Sequence, residues 1–97
     1  MSTVRTALID DAGRALLALS PLRRKLLELL RKPGSAATLA EALDMPRQRI
    51  GYHLKALEAA GLVTLHAERQ RRGFTERLFV ATAESFILDP AIMGGPA

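Results

Sequence analysis

The stretch Thr38-Leu39-Ala40-Glu41-Ala42-Leu43-Asp44-Met45-Pro46-Arg47-Gln48-Arg49-Ile50-Gly51-Tyr52-His53-Leu54-Lys55-Ala56-Leu57-Glu58-Ala59-Ala60-Gly61-Leu62-Val63 carries the clearest order in this chain. Ile50, Leu54 and Leu57 are spaced by four and three, so at about 100° per residue they share one side of a helix. Gln48, Tyr52 and Lys55 fall opposite, flanked by Arg47 and Gly51 on one edge and by Arg49 on the other. Pro46 opens this helix and Gly61 stops it, since proline's fixed φ suits a first turn and glycine tolerates a left-handed exit. Ahead of it, Thr38 and Glu41 have the spacing of a capping box, with Thr38 as N-cap, predicting a short helix that ends near Leu43. Asp44 and Met45 leave room only for a tight connection between the two.

Outward from this pair, Ser20 followed by Pro21 reads as an N-cap with proline at the first helical position, and Leu22, Leu26, Leu29 and Leu30 form an apolar stripe running to about Arg31. Lys32, Pro33, Gly34 and Ser35 end that helix. Val4, Leu8, Ala12, Ala15, Leu16 and Leu19 recur at helical spacings and predict an amphipathic first helix over about 4–19. Downstream, 62–67 and 77–81 are rich in β-branched, aromatic and other apolar residues around a polar stretch that holds Gly73, which predicts a two-stranded hairpin with a basic tip. Residues 82–97 contain Phe86, Ile87, Leu88, Ile92 and Met93 before Gly94, Gly95, Pro96 and Ala97, and are expected to be partly helical at most.

Two short helices joined by a tight turn and followed by a hairpin form the pattern of a winged helix-turn-helix. The expected fold is therefore α+β, mainly helical, in a single domain over 1–97. The helix-turn-helix occupies about 38–60, the wing about 62–81, and the apolar tail 82–97 serves dimerisation or a link to a further region.

The composition narrows the function classes. The 97 residues are 48% apolar and 25% charged, ordinary values for one globular domain. A chain of this size has a modest core, so a partner surface adds useful stability and dimerisation is attractive. With no cysteine, disulfides, thiolate metal sites and thiol redox sensing are excluded. Asp10 and Asp11 interrupt the N-terminal stretch, so no signal peptide or membrane span is expected and the cytoplasm is the expected compartment. The net charge of +4 is concentrated. Between residues 45 and 77, Arg47, Arg49, Lys55, Arg69, Arg71, Arg72 and Arg77 face only Glu58, Glu68 and Glu76, whereas the remainder is balanced. That is the footprint of a polyanion-binding surface.

Duplex DNA suits these residue types. Arginine and glutamine make paired hydrogen bonds to purine edges in the major groove, lysine and tyrosine reach phosphates or bases, and Gly51 has no side chain to hold the helix away from the duplex. The candidate DNA-binding residues are Arg47, Gln48, Arg49, Gly51, Tyr52 and Lys55 on the helix, with Arg69, Arg71 and Arg72 in the wing, where arginines can follow phosphates or enter a narrow minor groove. Arg77 is open to DNA contact or to pairing with Glu76 or Glu68. His53, at the edge of the apolar stripe, reads as a histidine hydrogen-bonded near the core in preference to a phosphate contact. His53 and His66 lack the carboxylate neighbours of a metal site, and no nucleophile–base set, carboxylate pair or phosphate loop points to catalysis or a cofactor. A protein-interaction module using the same apolar surfaces is the alternative from another class. RNA binding is disfavoured by the scarcity of aromatic residues for base stacking.

Residues 38–63 resemble the ArsR family of repressors, most sharply at Ile50, His53-Leu54, Leu57 and the Ala60-Gly61-Leu62-Val63 exit, and the likeness extends over roughly 19–80, including Pro21, Arg23 and 26–30. The resemblance implies a homodimeric DNA-binding repressor whose recognition helix is 46–60, acting on an inverted repeat, with any small-molecule effector unidentified. The family's thiolate metal site would need cysteines at about Ser35 and Ala37 and is absent. Pro46 and Gly51 stand where serines are usual, so two hydroxyls able to touch phosphate are missing and Arg47, Arg49 or the wing must replace them. The first helix and the tail near 86–93 are expected to form much of the dimer surface.

Overall fold

The computed structural model describes residues 6–9, 13 and 20–88. In chain order the elements are β1 (Thr6–Ile9), α1 (Pro21–Leu29), α2 (Ala36–Leu43), α3 (Arg47–Ala59), β2 (Val63–Arg71), β3 (Phe74–Ala81) and β4 (Ser85–Leu88). The three helices and the antiparallel pair β2–β3 make a winged helix-turn-helix, as the residue pattern predicts.

One apolar cluster joins them. Leu26 and Leu30 from the α1 segment, Leu39 from α2, Ile50, Leu54 and Leu57 from α3, then Leu62, Val63, Phe79 and Ala81 from the hairpin are all buried together. The periodicity of four and three in α3 is thus the periodicity of its contact with the core. Replacing water by close-packed apolar neighbours is the main stabilising term, about 1.5–3 kcal/mol for each fully buried large aliphatic side chain.

Local chemistry sets the helix ends. Pro21 occupies the first turn of α1, although Ser20 makes no side-chain capping bond there. The cap of α2 differs from expectation: Ser35, not Thr38, is the N-cap, and Thr38 takes the reciprocal position expected of Glu41. The Thr38 backbone N–H donates to Ser35 Oγ at 3.2 Å and the Ser35 N–H donates to Thr38 Oγ1 at 3.0 Å. Ser35 prevails because Gly34 is already tied to β3, with its N–H donating to Phe79 O at 2.9 Å and its C=O accepting from Phe79 N at 2.8 Å, which leaves Ser35 extended at the helix mouth. Asp44 in the left-handed region (φ 52) turns the chain from α2 into α3, and Gly61 (φ 75) turns it from α3 into the hairpin.

The ends of the chain depart from expectation. Within the amphipathic helix expected over about 4–19, residues 6–9 form a strand, Gly13 is helical, and the others lie outside the described residues. β1 pairs in parallel with β4 in the register Ala7 with Phe86 and Leu8 with Ile87, so part of the tail expected to be helical at most is also a strand. Ile9 is fully buried and Phe86 packs against the core, whereas Leu8 and Ile87 are exposed. Four residues cannot separate a period of 3.6 from a period of 2, and a partner some 80 positions away is invisible to local pattern. The apolar residues 92 and 93 of the expected dimer surface lie outside the described residues. No described helix is long and apolar enough to cross a membrane.

Candidate nucleic-acid interface

α3 stands with Ile50, Leu54 and Leu57 on the core and its other side in solvent. Arg47, Gln48, Arg49 and Lys55 are exposed, Tyr52 is 66% exposed, and Gly51 is partly exposed between them. Arg47, Gln48, Gly51, Tyr52 and Lys55 line one shallow concavity with Ala36, so five of the six helix positions singled out from sequence share a surface. Arg49 lies on the other edge, close enough to His53 to act on its charge state.

The first turn of α3 contains no acidic residue. Cations at a helix N-terminus oppose its dipole, a cost of about 0.3–1 kcal/mol each that an anion placed there would offset. A Cβ built on Gly51 meets nothing within 4 Å. The protein's own packing therefore does not require glycine there, although glycine weakens a helix interior by about 0.8–1 kcal/mol relative to alanine.

His53 has the hydrogen bond expected of a structural histidine. Arg23 Nε donates to His53 Nδ1 at 3.0 Å, tying α3 to α1. With Nδ1 accepting, the proton of the neutral ring resides on Nε2. Burial, then the positive charges of Arg23 and Arg49, hold the imidazole below its ordinary pKa of 6.5. The Tyr52 ring meets the His53 ring edge to face, with centroids 5.4 Å apart.

The wing spans the expected residues, but its strands are longer than the apolar runs predict. β2 and β3 extend through the polar stretch to Arg71 and Phe74, joined by Arg72 (φ 20) and Gly73 (φ 87). Two consecutive positive φ values make the two-residue turn that matches the twist of paired strands. Cross-strand polar pairs hold the extension, including Gln70 Nε2 donating to Thr75 Oγ1 at 3.0 Å. Arg69 donates from Nε (2.8 Å) and Nη2 to Glu76 Oε1, and Arg71 Nε lies 3.5 Å from the same oxygen. Arg72 is exposed at the tip and makes no ion pair among the described residues. The Arg77 guanidinium lies over the Phe79 ring at 5.1 Å, where pairing with Glu76 or Glu68 was one expectation.

Sequence reasoning missed three contributors. Phe74 is 47% exposed with the Arg47 guanidinium 6.0 Å from its ring centre, which brings the wing tip against the start of α3. Glu76 and Ser35 are both buried. Hydrogen bonding from Arg69 lowers the Glu76 pKa against the opposing effect of burial, and Ser35 and Arg71 lower it further. These residues border a cleft of about 200 Å³ between α3 and the wing. A signal was present in Glu76, an acid set among arginines, but its partners depend on strand register. Among the described residues no three His, Cys, Asp or Glu side chains are grouped to hold a metal ion.

Residues 18–66 match a family model described as a helix-turn-helix domain. The fold is similar to the solution structure of a homodimeric winged helix-turn-helix DNA-binding domain from Mycobacterium bovis, described as a possible ArsR-family transcriptional regulator, with a TM-score of 0.61 and 23% identity. That match covers 75% of this chain and 64% of the other, so this chain spans less than two thirds of its neighbour's length. It is also similar to the crystal structure of an ArsR family transcriptional regulator, with a TM-score of 0.56 and 23% identity over 84% of this chain and 73% of the other. No curated protein sequence matches the chain. These structures share the winged helix-turn-helix fold of this chain.

Proposed function

Because the chain belongs to the helix-turn-helix domain family, we propose that it is an ArsR-type transcriptional regulator that binds duplex DNA as a homodimer. The observation that carries this reading is the outward side of α3. Arg47, Gln48, Tyr52 and Lys55 surround a side-chain-free Gly51, with no carboxylate before Glu58 and a basic wing alongside.

In this reading α3 enters the major groove. Arg47 and Gln48 read base edges, Arg49, Tyr52 and Lys55 contact phosphates or bases, and Gly51 permits close approach. Arg69, Arg71 and Arg72 follow the phosphates beside the groove. Two copies place their recognition helices about 34 Å apart on an imperfect inverted repeat, and occupancy of a promoter represses by exclusion. The homodimeric state of the Mycobacterium bovis domain supports a dimer, as do Leu8 and Ile87, adjacent apolar side chains left in solvent on the β1–β4 sheet. The role is binding, without catalysis or a cofactor.

Selection on a random duplex library at about 150 mM salt tests the reading, because specific and electrostatic binding separate there. The expected result is an inverted repeat bound about a thousandfold better than its scrambled counterpart. Binding without enrichment, fading as salt rises, would reduce the basic surface to general electrostatics and favour a protein-interaction module. Sedimentation showing only monomer at micromolar concentration, with and without the selected duplex, would remove the dimer.

A further inference from the structure

The two buried polar or charged side chains among the described residues, Ser35 and Glu76, line one cleft between α3 and the wing although they come from different parts of the fold. Ser35 is the N-cap of α2, and Glu76 lies on the wing strand β3. Neither is exposed enough to serve as a principal DNA contact. Burying a carboxylate is unfavourable unless it is paired and hydrogen-bonded, so its neighbours indicate what the arrangement achieves.

Those neighbours are the wing arginines. Glu76 Oε1 accepts from Nε and Nη2 of Arg69, and Arg71 Nε lies 3.5 Å away. Glu76 is nine-tenths buried, yet the Arg69 and Arg71 side chains remain 48% and 52% exposed. A guanidinium carries five N–H donors, and Arg69 commits two of them to Glu76. The carboxylate thus grips the inner edges of two cations and leaves outer edges in solvent. The same carboxylate faces the cleft that Ser35, the N-cap of α2, and Arg47 of α3 also border, so the cluster lies against the helix-turn-helix.

We propose that Glu76 is a positioning residue of the DNA interface, holding Arg69 and Arg71 in a fixed attitude to the helix-turn-helix so that their free N–H groups meet phosphates when α3 is seated in the groove. This rests on the DNA-binding reading above. Two opposing effects make it testable. A carboxylate near DNA weakens general attraction to any duplex, whereas preset arginines lose less conformational freedom when they bind a correctly docked one. Glu76 therefore sacrifices non-specific affinity and increases discrimination.

The test compares wild type, Glu76→Gln and Glu68→Gln, an exposed wing carboxylate outside the cluster, on the selected and scrambled duplexes at one salt concentration. Glu68→Gln should strengthen both complexes by a similar factor. Glu76→Gln should leave scrambled-duplex binding equal or stronger while the ratio of selected to scrambled affinity falls about tenfold. A ratio that moves no more than in Glu68→Gln overturns the proposal. So does a loss shared equally by both duplexes in step with a smaller folded fraction by circular dichroism, the mark of a purely structural role. Independently of any variant or DNA, the Arg69 Nε–H in wild type should exchange with solvent more slowly than that of Arg72 by NMR, and equal rates overturn the proposal. A wild type that fails to distinguish the duplexes defeats the DNA-binding reading itself; one that distinguishes them while Glu76→Gln keeps the ratio defeats the role of Glu76 alone.

Discussion

Arg47 and Arg49 leave the first turn of α3 with no acidic residue beside them in that turn, whereas Arg69 and Arg71 leave β2 with a carboxylate already against them. The helix obtains its geometry from below, since Ile50, Leu54 and Leu57 anchor one side in the core and rigid helical spacing places the polar side. The hairpin's outer part has no such anchor. Its core contacts stop at Phe79 and Leu65, and beyond them polar and ionic pairs replace apolar burial. A helix can carry cations without a carboxylate beside them because its backbone is held by the core. A projecting ribbon needs its side chains to hold one another.

The largest expected effect breaks the anchored side. Ile50→Ala should cost about 2–5 kcal/mol of stability, read as a lower midpoint in urea unfolding, because the fully buried side chain leaves a cavity under α3. Midpoints equal to wild type would mean that α3 is not held as described.

Next come the two kinds of DNA contact. Gln48→Ala should weaken the selected duplex by about 1–3 kcal/mol and relax preference at one base position, whereas Arg72→Ala should weaken selected and scrambled duplexes alike and reduce the salt slope by about one. Exchange of those two patterns would assign base reading to the wing and phosphate contact to the helix.

Gly51→Ala sharpens the contrast further. Since a Cβ there meets no neighbour, the variant should be more stable by about 0.8–1 kcal/mol in thermal unfolding yet bind the selected duplex more weakly. Greater stability with unchanged binding would leave Gly51 without a role at the interface.

The smallest effect is a pH dependence in the link between α1 and α3. His53 is held below its ordinary pKa of 6.5 in the folded protein, so the unfolded chain binds more protons in the window just beneath that value. Its stabilisation is complete above about 6.5 and is lost as pH falls through the folded pKa. His53→Gln should flatten this part of the stability profile; an unchanged slope would place the titration elsewhere.

Legibility followed the range of the interactions. The division of α3 into buried and exposed sides was readable because 3.6-residue periodicity is a local property, as was the stop at Gly61, whose φ of 75 suits a residue without a Cβ. Spacing alone places the α2 cap three residues late because Ser35 and Thr38 both offer hydroxyls, and only the pairing of Gly34 with Phe79 selects between them. Phe74 lies within the polar stretch around Gly73, and nothing near it in sequence shows that Arg47 will come over its ring.

The sequence alone determined the helix-turn-helix, the existence and basic character of the wing, and the set of side chains α3 turns outward, because each follows from spacing, turn chemistry and charge within a few residues. Tertiary structure decided the rest. It made strands of 6–9 and 85–88 by pairing them across the chain, and it carried the strand pairing of the wing through its polar segment. It also set Glu76 against two arginines, on a cleft shared with the cap of α2. Those outcomes depend on strand register and on contacts between distant segments, which become defined only when the common core brings them together.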